Sequence, residues 1–235
     1  MLSTSRYFFT AVFFLLLCGA CIAKPAPVVY YPAGATNGVP VMVWLHGYRS
    51  FPSVLSDKEY FQSVADRLQV AFIGIPGTTA MADGTLVWSE EPVADHHYIQ
   101  DVLATLASKY KLDLKRTGLF GFSQGAMVAA DIASCYPDSY QGALLLSPGG
   151  ITGAKPAMKP TESHKQQVYF AVCGQQEDPG NVGLTRYYAR HLRSLGATTT
   201  KKEYEGVKEH NRPPDFKERF PEWTAQILHL EARPR

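Results

Sequence analysis

Short apolar runs rich in β-branched residues recur along the chain and alternate with segments whose apolar residues follow a helical period. The internal runs lack strict alternation of apolar and polar positions, as expected of strands that are buried on both faces of a sheet. The runs begin at Val39, Gln69, Thr117, Gly142, Gln167 and Thr198. Their alternation with helical segments predicts an α/β fold with a mostly parallel central sheet and helices on both faces.

Apolar residues at helical spacing predict the helices that cover this sheet. One set is Ile99, Val102, Leu103, Leu106 and Tyr110, and another is Leu184, Tyr188, His191 and Leu195. A last helix is expected to begin near Pro221, since proline suits a first helical turn. The chain shows no repeat and no second domain, so residues 24–235 are predicted to form one catalytic domain.

The N-terminal segment has the layout of a secretory signal peptide. Arg6 precedes an apolar run from Tyr7 to Leu17 that is shorter than the roughly 20 residues of a membrane-spanning helix. Cleavage after Ala23 would remove residues 1–23 and release a periplasmic or secreted protein. The alternative is a lipoprotein, because the segment before Cys21 resembles the end of a bacterial lipobox, and only then is membrane attachment expected.

The charge balance and the positions of the cysteines indicate which binding partners, disulfides and cofactors are expected. The formal net charge is +2, charged residues make up 19% of the chain, and no run of Lys or Arg stands out, so nucleic acid is not an expected partner. No disulfide is expected between Cys135 and Cys173, because a helix end and a strand end would lie at opposite edges of the sheet. No metal-ligand spacing is present, so no cofactor is expected. A monomer or small homo-oligomer is predicted.

Residues 119–126 read LFGFSQGA, in which an apolar strand runs directly into Gly-x-Ser-x-Gly and then into a helix. This arrangement is typical of a nucleophile elbow, a turn so tight that the residues two before and two after the serine must be small. Gly121 and Gly125 meet that requirement. The pattern predicts Ser123 as the nucleophile and the backbone N–H of Gln124 as an oxyanion donor, because both lie at a helix N-terminus.

The motif GFSQG, the upstream LHG and a downstream strand ending near Asp-Pro resemble the carboxylesterase and phospholipase-like branch of the α/β-hydrolases, which includes dienelactone-hydrolase-like and polyhydroxybutyrate-depolymerase-like enzymes. The resemblance covers most of residues 39–230. It implies that the backbone N–H of Tyr48 is the second oxyanion donor and that His46 is a scaffold residue. Asp178 matches the family's Asp-Pro and is the expected acid, whereas counting from the strand end selects Glu177 as the alternative.

The catalytic base should follow the acid along the chain, on a loop after the last strands. His210 fits, because it follows the strand-like KKEYEG and precedes the closing helix. The other downstream histidines, His191 and His229, are expected to be packing or surface residues. His96, His97 and His164 precede the expected acid.

These residues predict a serine esterase that hydrolyses small carboxylic esters through an acyl-enzyme. The alternatives are acyl transfer or peptide cleavage on the same fold, or an inactive binding protein that retains the hydrolase scaffold. Trp88 is expected either to line the substrate pocket or to anchor the core. Residues 151–165 hold two prolines and no apolar periodicity, so no helical lid is expected and the pocket should be open.

Overall fold

A computed structural model describes residues 24–36, 38–51, 57–89, 91–150 and 159–231. Within these ranges the strands are β1 (Val28–Tyr30), β2 (Val39–Leu45), β3 (Ala71–Ile75), β4 (Thr79–Ala80), β5 (Leu86–Val87), β6 (Leu112–Phe122), β7 (Gly142–Leu146), β8 (Val168–Gly174) and β9 (Thr198–Tyr204). The helices are α1 (Lys58–Leu68), α2 (Pro92–Ala107), α3 (Gln124–Cys135), α4 (Glu162–Gln166), α5 (Pro179–Ser194) and α6 (Phe216–Ile227).

Seven of these strands form one twisted sheet in the order β1-β3-β2-β6-β7-β8-β9. Neighbouring strands from β3 to β9 are parallel, and β1 alone pairs antiparallel, with β3. The sheet confirms the predicted α/β architecture, and all six predicted strands are present. Because the central strands are parallel, their carboxyl ends lie at one edge of the sheet, where loops carry functional groups in this class of fold.

Helices cover both faces of the sheet and bury two separate apolar layers. On one face α2, α3 and α5 contribute Ile99, Leu103, Ile132, Tyr188 and Leu192. On the other face α1 and α6 enclose an aromatic cluster. The Phe220 ring lies 4.9 Å from Phe120, 5.4 Å from Phe72 and 5.6 Å from Phe61, measured between centroids. Such packing fixes the orientation of the sheet against both helices.

The closing helix α6 differs from its prediction, because it begins at Phe216 and Pro221 lies inside it. A proline within a helix cannot donate to the carbonyl four residues earlier, here that of Lys217. The hydroxyl of Tyr60, on α1, donates to this Lys217 carbonyl at 2.8 Å. A side chain from a neighbouring helix thus replaces the missing backbone donor, and the expectation that Pro221 opens the helix was wrong.

No disulfide joins Cys135 to Cys173, as predicted. The predicted signal peptide, its cleavage site and Cys21 lie outside the described residues, as do residues 151–158 of the expected lid-free segment. None of the helices in the described ranges combines the length and apolar character that crossing a bilayer requires.

Candidate active site

Ser123 occupies the turn between β6 and α3 in a strained conformation, with φ of 56° and ψ of −121°. Few non-glycine residues adopt such angles. The tight packing of the turn requires glycine two residues before and two residues after Ser123. A Cβ on Gly121 would lie 2.2 Å from the carbonyl oxygen of Gly125, and a Cβ on Gly125 would lie 2.0 Å from that of Leu45. The turn therefore has the geometry of a nucleophile elbow.

The loop after β2 lies beside this turn because β2 and β6 are adjacent and in register, with Leu45 opposite Gly121. A Cβ on Gly47 would lie 3.4 Å from the Cβ of Ser123. Tyr48 therefore follows a residue that lies beside the serine, and Tyr48 itself is 58% exposed. Gln124 is the first residue of α3, where backbone N–H groups point out of the helix end.

His46 is fully buried beneath this loop, and both of its ring nitrogens face the backbone. Nδ1 lies 2.8 Å from the carbonyl oxygen of Gly47, and Nε2 accepts a hydrogen bond from the N–H of Gly77 at 2.8 Å. Burial lowers the pKa of His46. A neutral ring with both nitrogens in use holds the loop in place, in agreement with the scaffold role that the family resemblance implied.

Trp88 lies behind the same loop and is only 2% exposed. Its indole Nε1 donates to the carbonyl oxygen of His46 at 2.9 Å, and its backbone N–H donates to the side-chain Oε1 of Gln124 at 3.2 Å. Of the two expectations for Trp88, this burial favours the core anchor over the substrate pocket. Its large ring supports the loop from within the core and connects that loop to the start of α3.

The carboxylate of Glu177 is in contact with His210. Its Oε2 lies 3.0 Å from His210 Nδ1, and its side chain is completely buried. The second oxygen, Oε1, accepts hydrogen bonds from Ser147 Oγ at 2.8 Å and from the backbone N–H of Gly174 at 2.6 Å. These donors compensate for the loss of water around a buried carboxylate.

Asp178, the acid favoured from the sequence, does not occupy that position. It is the N-cap residue of α5, and its Oδ1 accepts from the N–H of Gly180 at 2.8 Å. The Asp-Pro pair starts a helix here, with Asp178 as cap and Pro179 in the first turn. The order of preference between the two candidates is reversed, because the carboxylate beside the imidazole belongs to Glu177.

The His210 ring packs against Phe122, with 4.6 Å between ring centroids, and Phe122 directly precedes Ser123. The turn with the serine, the carboxylate and the imidazole thus meet at the carboxyl edge of the sheet. In the described chain no hydrogen bond joins Ser123 Oγ to His210. Catalytic hydrogen bonds commonly shorten only when substrate is bound.

The other histidines engage groups elsewhere. His191 stacks on Tyr187 along α5, while His164 and His229 face backbone carbonyl oxygens at 2.9 Å. His96 stacks on Tyr136 with 3.7 Å between ring centroids. These packing positions agree with the choice of His210 as the candidate base.

Two polar residues of the site were not singled out from the sequence. Ser147 directly follows β7 with φ of 44° and donates to Glu177. Asn181, in the first turn of α5, has its amide Nδ2 3.0 Å from His210 Nδ1. Ser147 follows a predicted strand end, which is a detectable signal. The sequence gives no such signal for Asn181, because the position of its side chain depends on where α5 begins.

A model of the Esterase family matches residues 23–181, more than half of the chain. The chain belongs to the Esterase family. The matched segment includes the elbow, Glu177 and Asn181, and it ends before β9 and His210. This esterase is also 23% identical over 180 residues to a bifunctional acetylxylan esterase/xylanase of Neocallimastix patriciarum. That alignment covers 75% of this chain but only 25% of the fungal protein.

Solved structures share the fold of this esterase at low sequence identity. A Bacillus cereus carboxylesterase is 17% identical, with a TM-score of 0.64 over 86% of this chain and 93% of its own. A ferulic acid esterase is 14% identical, with a TM-score of 0.63 over 87% and 92% of the two chains. Family membership and fold together identify an esterase with an α/β-hydrolase-type fold.

Proposed function

We propose that this esterase hydrolyses small carboxylic esters through an acyl-enzyme on Ser123, with His210 as base and Glu177 as acid. The observation that carries the proposal is the 3.0 Å contact between Glu177 Oε2 and His210 Nδ1 at the end of the sheet that bears the elbow. A carboxylate there fixes the tautomer with hydrogen on Nδ1, which leaves Nε2 to accept a proton.

In acylation, His210 Nε2 takes the hydroxyl proton of Ser123 while Oγ forms a bond to the acyl carbon. The negative charge moves to the former carbonyl oxygen, which accepts hydrogen bonds from the N–H groups of Tyr48 and Gln124. The bond to the alcohol oxygen then breaks, and the imidazolium returns the proton to the departing alcohol. Glu177 stabilises the imidazolium in both steps.

Deacylation repeats these steps with water as the nucleophile. His210 takes one proton from water as its oxygen bonds to the acyl carbon, and the bond between that carbon and Ser123 Oγ breaks. The imidazolium returns its proton to Oγ, so free acid is released and the serine hydroxyl is restored. Each cycle consumes one water and one ester and needs no redox partner.

The surroundings of the serine favour a small acyl group on an exposed substrate. A Cβ on Gly149 would lie 2.7 Å from Asn181 Oδ1 and 3.3 Å from Ser123 Oγ, so the backbone at Gly149 packs closely beside the nucleophile and leaves little room there. After β2, Tyr48 and Phe51 are exposed to solvent. We assign the narrow side of the site at Gly149 to a short acyl group and the exposed aromatic rings to the alcohol portion, which can be aryl or sugar.

The name of one relative supports this assignment. The fungal relative is named for acetylxylan, an acetylated carbohydrate. We propose short acyl esters in water as substrates, with no rate increase at a lipid surface. We also propose export of the chain through residues 1–23.

The nucleophile is tested with the variant Ser123→Ala. We expect it to lose turnover of a nitrophenyl acetate and labelling by a fluorophosphonate probe, because both reactions need Oγ. Its melting temperature should stay near that of the wild type, since the hydroxyl adds little to stability. Peptide mapping of the labelled wild type should find the probe on Ser123. Wild-type activity in the variant, or a probe on another serine, would refute the proposal.

A further inference from the structure

His210 Nδ1 has two polar neighbours, and only one belongs to the proposed triad. Glu177 Oε2 lies 3.0 Å away, and Asn181 Nδ2 also lies 3.0 Å away. A carboxylate can only accept hydrogen bonds, whereas an amide carries a donor nitrogen and an acceptor oxygen. The second neighbour is therefore placed where it can influence which tautomer the imidazole adopts.

The same amide reaches the space beside the nucleophile. Asn181 Oδ1 lies 2.7 Å from the position that a Cβ on Gly149 would take, and Ser123 Oγ lies 3.3 Å from that position. One end of the amide thus faces the base and the other faces the nucleophile's side of the site. Asn181 thus contacts the proposed base and borders the nucleophile's side of the site.

Asn181 is held firmly by its helix. Asp178 caps α5, Pro179 opens its first turn, and the backbone carbonyl of Asn181 accepts from Thr185 Oγ1 at 2.9 Å. The backbone at this position is therefore fixed, and the amide group has freedom only about its own side-chain bonds.

We propose that Asn181 is a positioning residue for His210, an inference that rests on the proposed function. When Nδ1–H donates to Glu177, it cannot accept from an amide N–H. A half-turn of the amide presents Oδ1 to Nδ1–H, so that Asn181 and Glu177 share this proton and hold the ring. The same half-turn aims the amide N–H groups toward the space beside Ser123.

The inference is tested by exchanging the amide and the carboxylate between the two positions. Glu177→Gln alone should lower kcat on the order of a thousandfold, because the wrong tautomer is then favoured. Glu177→Gln combined with Asn181→Asp restores a carboxylate beside Nδ1, on a side chain of the same length as Asn. We expect this double variant to recover at least tenfold of the lost kcat.

Two further variants serve as matched controls. Glu177→Gln combined with Asn181→Leu lacks any carboxylate and should be no more active than Glu177→Gln. Asn181→Leu alone should lower kcat about tenfold with little change in KM, on the scale of one lost orienting contact. Circular dichroism and melting temperature identify variants that fail to fold.

The outcomes separate this inference from the proposed function. Wild-type activity of the Glu177→Gln variant would refute the proposed triad itself. Two results would overturn the role of Asn181 and leave the triad standing. One is a loss in Glu177→Gln that adding Asn181→Asp does not recover in a folded protein, and the other is wild-type kcat in Asn181→Leu.

Discussion

The carboxylate of Glu177 is surrounded by donors, whereas that of Asp178 accepts, among the described residues, from its own helix end. Glu177→Gln should therefore lower kcat by about three orders of magnitude, because only the residue bonded to the imidazole fixes its tautomer. Asp178→Asn should change kcat less than about twofold, since Asn caps a helix as well as Asp does. Steady-state kinetics on a short nitrophenyl ester compares the two. The opposite ranking would return the role to Asp178.

Tyr48 combines a proposed backbone function with an exposed side chain, and two substitutions separate them. Tyr48→Ala keeps the N–H, so kcat should be retained while KM for aryl esters rises a few-fold. Tyr48→Pro removes the N–H and should lower kcat by about a hundredfold or more, the usual effect of losing one oxyanion donor. Thermal melting checks that both variants fold. Equal losses of kcat in the two would show that the side chain, rather than the N–H, matters.

Site residues that are held in a fixed local geometry were predictable from the sequence. Ser123 was predictable because Gly121 and Gly125 satisfy a steric requirement that is visible in the sequence. His210 followed from chain order. The choice between Glu177 and Asp178 depended on where α5 begins, since an Asp-Pro pair serves equally well as a helix start. Helix starts are set by capping contacts that a pattern of apolar positions does not contain.

Among the elements, helix α6 depends on a hydrogen bond that a side chain of helix α1 donates to its backbone. The Tyr60 hydroxyl donates to the Lys217 carbonyl that Pro221 leaves without its helical donor. Tyr60→Phe should lower the free energy of unfolding by about 1 kcal/mol, the typical net worth of such a hydrogen bond. In a Pro221→Ala background the backbone supplies its own donor.

A double-mutant cycle, followed by urea unfolding, measures how far the effect of Tyr60→Phe depends on Pro221. In the Pro221→Ala background, Tyr60→Phe should cost clearly less than in the wild type, because Lys217 then accepts from the backbone N–H at position 221. The same cost in both backgrounds would show that the hydroxyl does not compensate for the proline.

Strands buried on both faces of the sheet were predictable from the sequence, whereas β1, the β4-β5 hairpin and α1 were not. The strands β2, β3, β7 and β8 and the second half of β6 are apolar and almost entirely buried, with no polar face, which leaves few alternatives to a parallel sheet. β1 has three residues and the β4-β5 hairpin pairs two with two, too few for any period to be read. Helix α1 buries Phe61, Val64 and Ala65, which span little more than one helical turn.

In the molecule as a whole, the candidate site gathers groups from the middle and the edge of the sheet. Ser123 follows the central strand β6, Glu177 follows β8, and His210 follows β9, which pairs only with β8 in the described sheet. An edge strand with many exposed positions opens at a lower free energy than buried strands do. We therefore expect the part of the sheet that carries the proposed base to open more readily than the centre of the sheet does.

Esterase activity should consequently be lost at a lower urea concentration than far-UV circular dichroism. Glu203 anchors β9 through hydrogen bonds from Arg186 at 2.6 and 2.9 Å. Glu203→Gln should lower the activity midpoint further while the spectroscopic midpoint moves by less than the equivalent of about 1 kcal/mol, as expected of a partly exposed ion pair. Coincident midpoints in the wild type would show that β9 unfolds together with the core.

The position of His210 after β9 also concerns the chain while it is being made. The nucleophile, the carboxylate and Asn181 all precede the base by about thirty residues or more. A ribosome releases the elbow first, and the elbow alone holds a serine with no group to remove its proton. With His210 as the proposed base, the polypeptide should stay catalytically silent until β9 has emerged and joined the sheet, so completion of the fold sets the moment at which ester cleavage can begin.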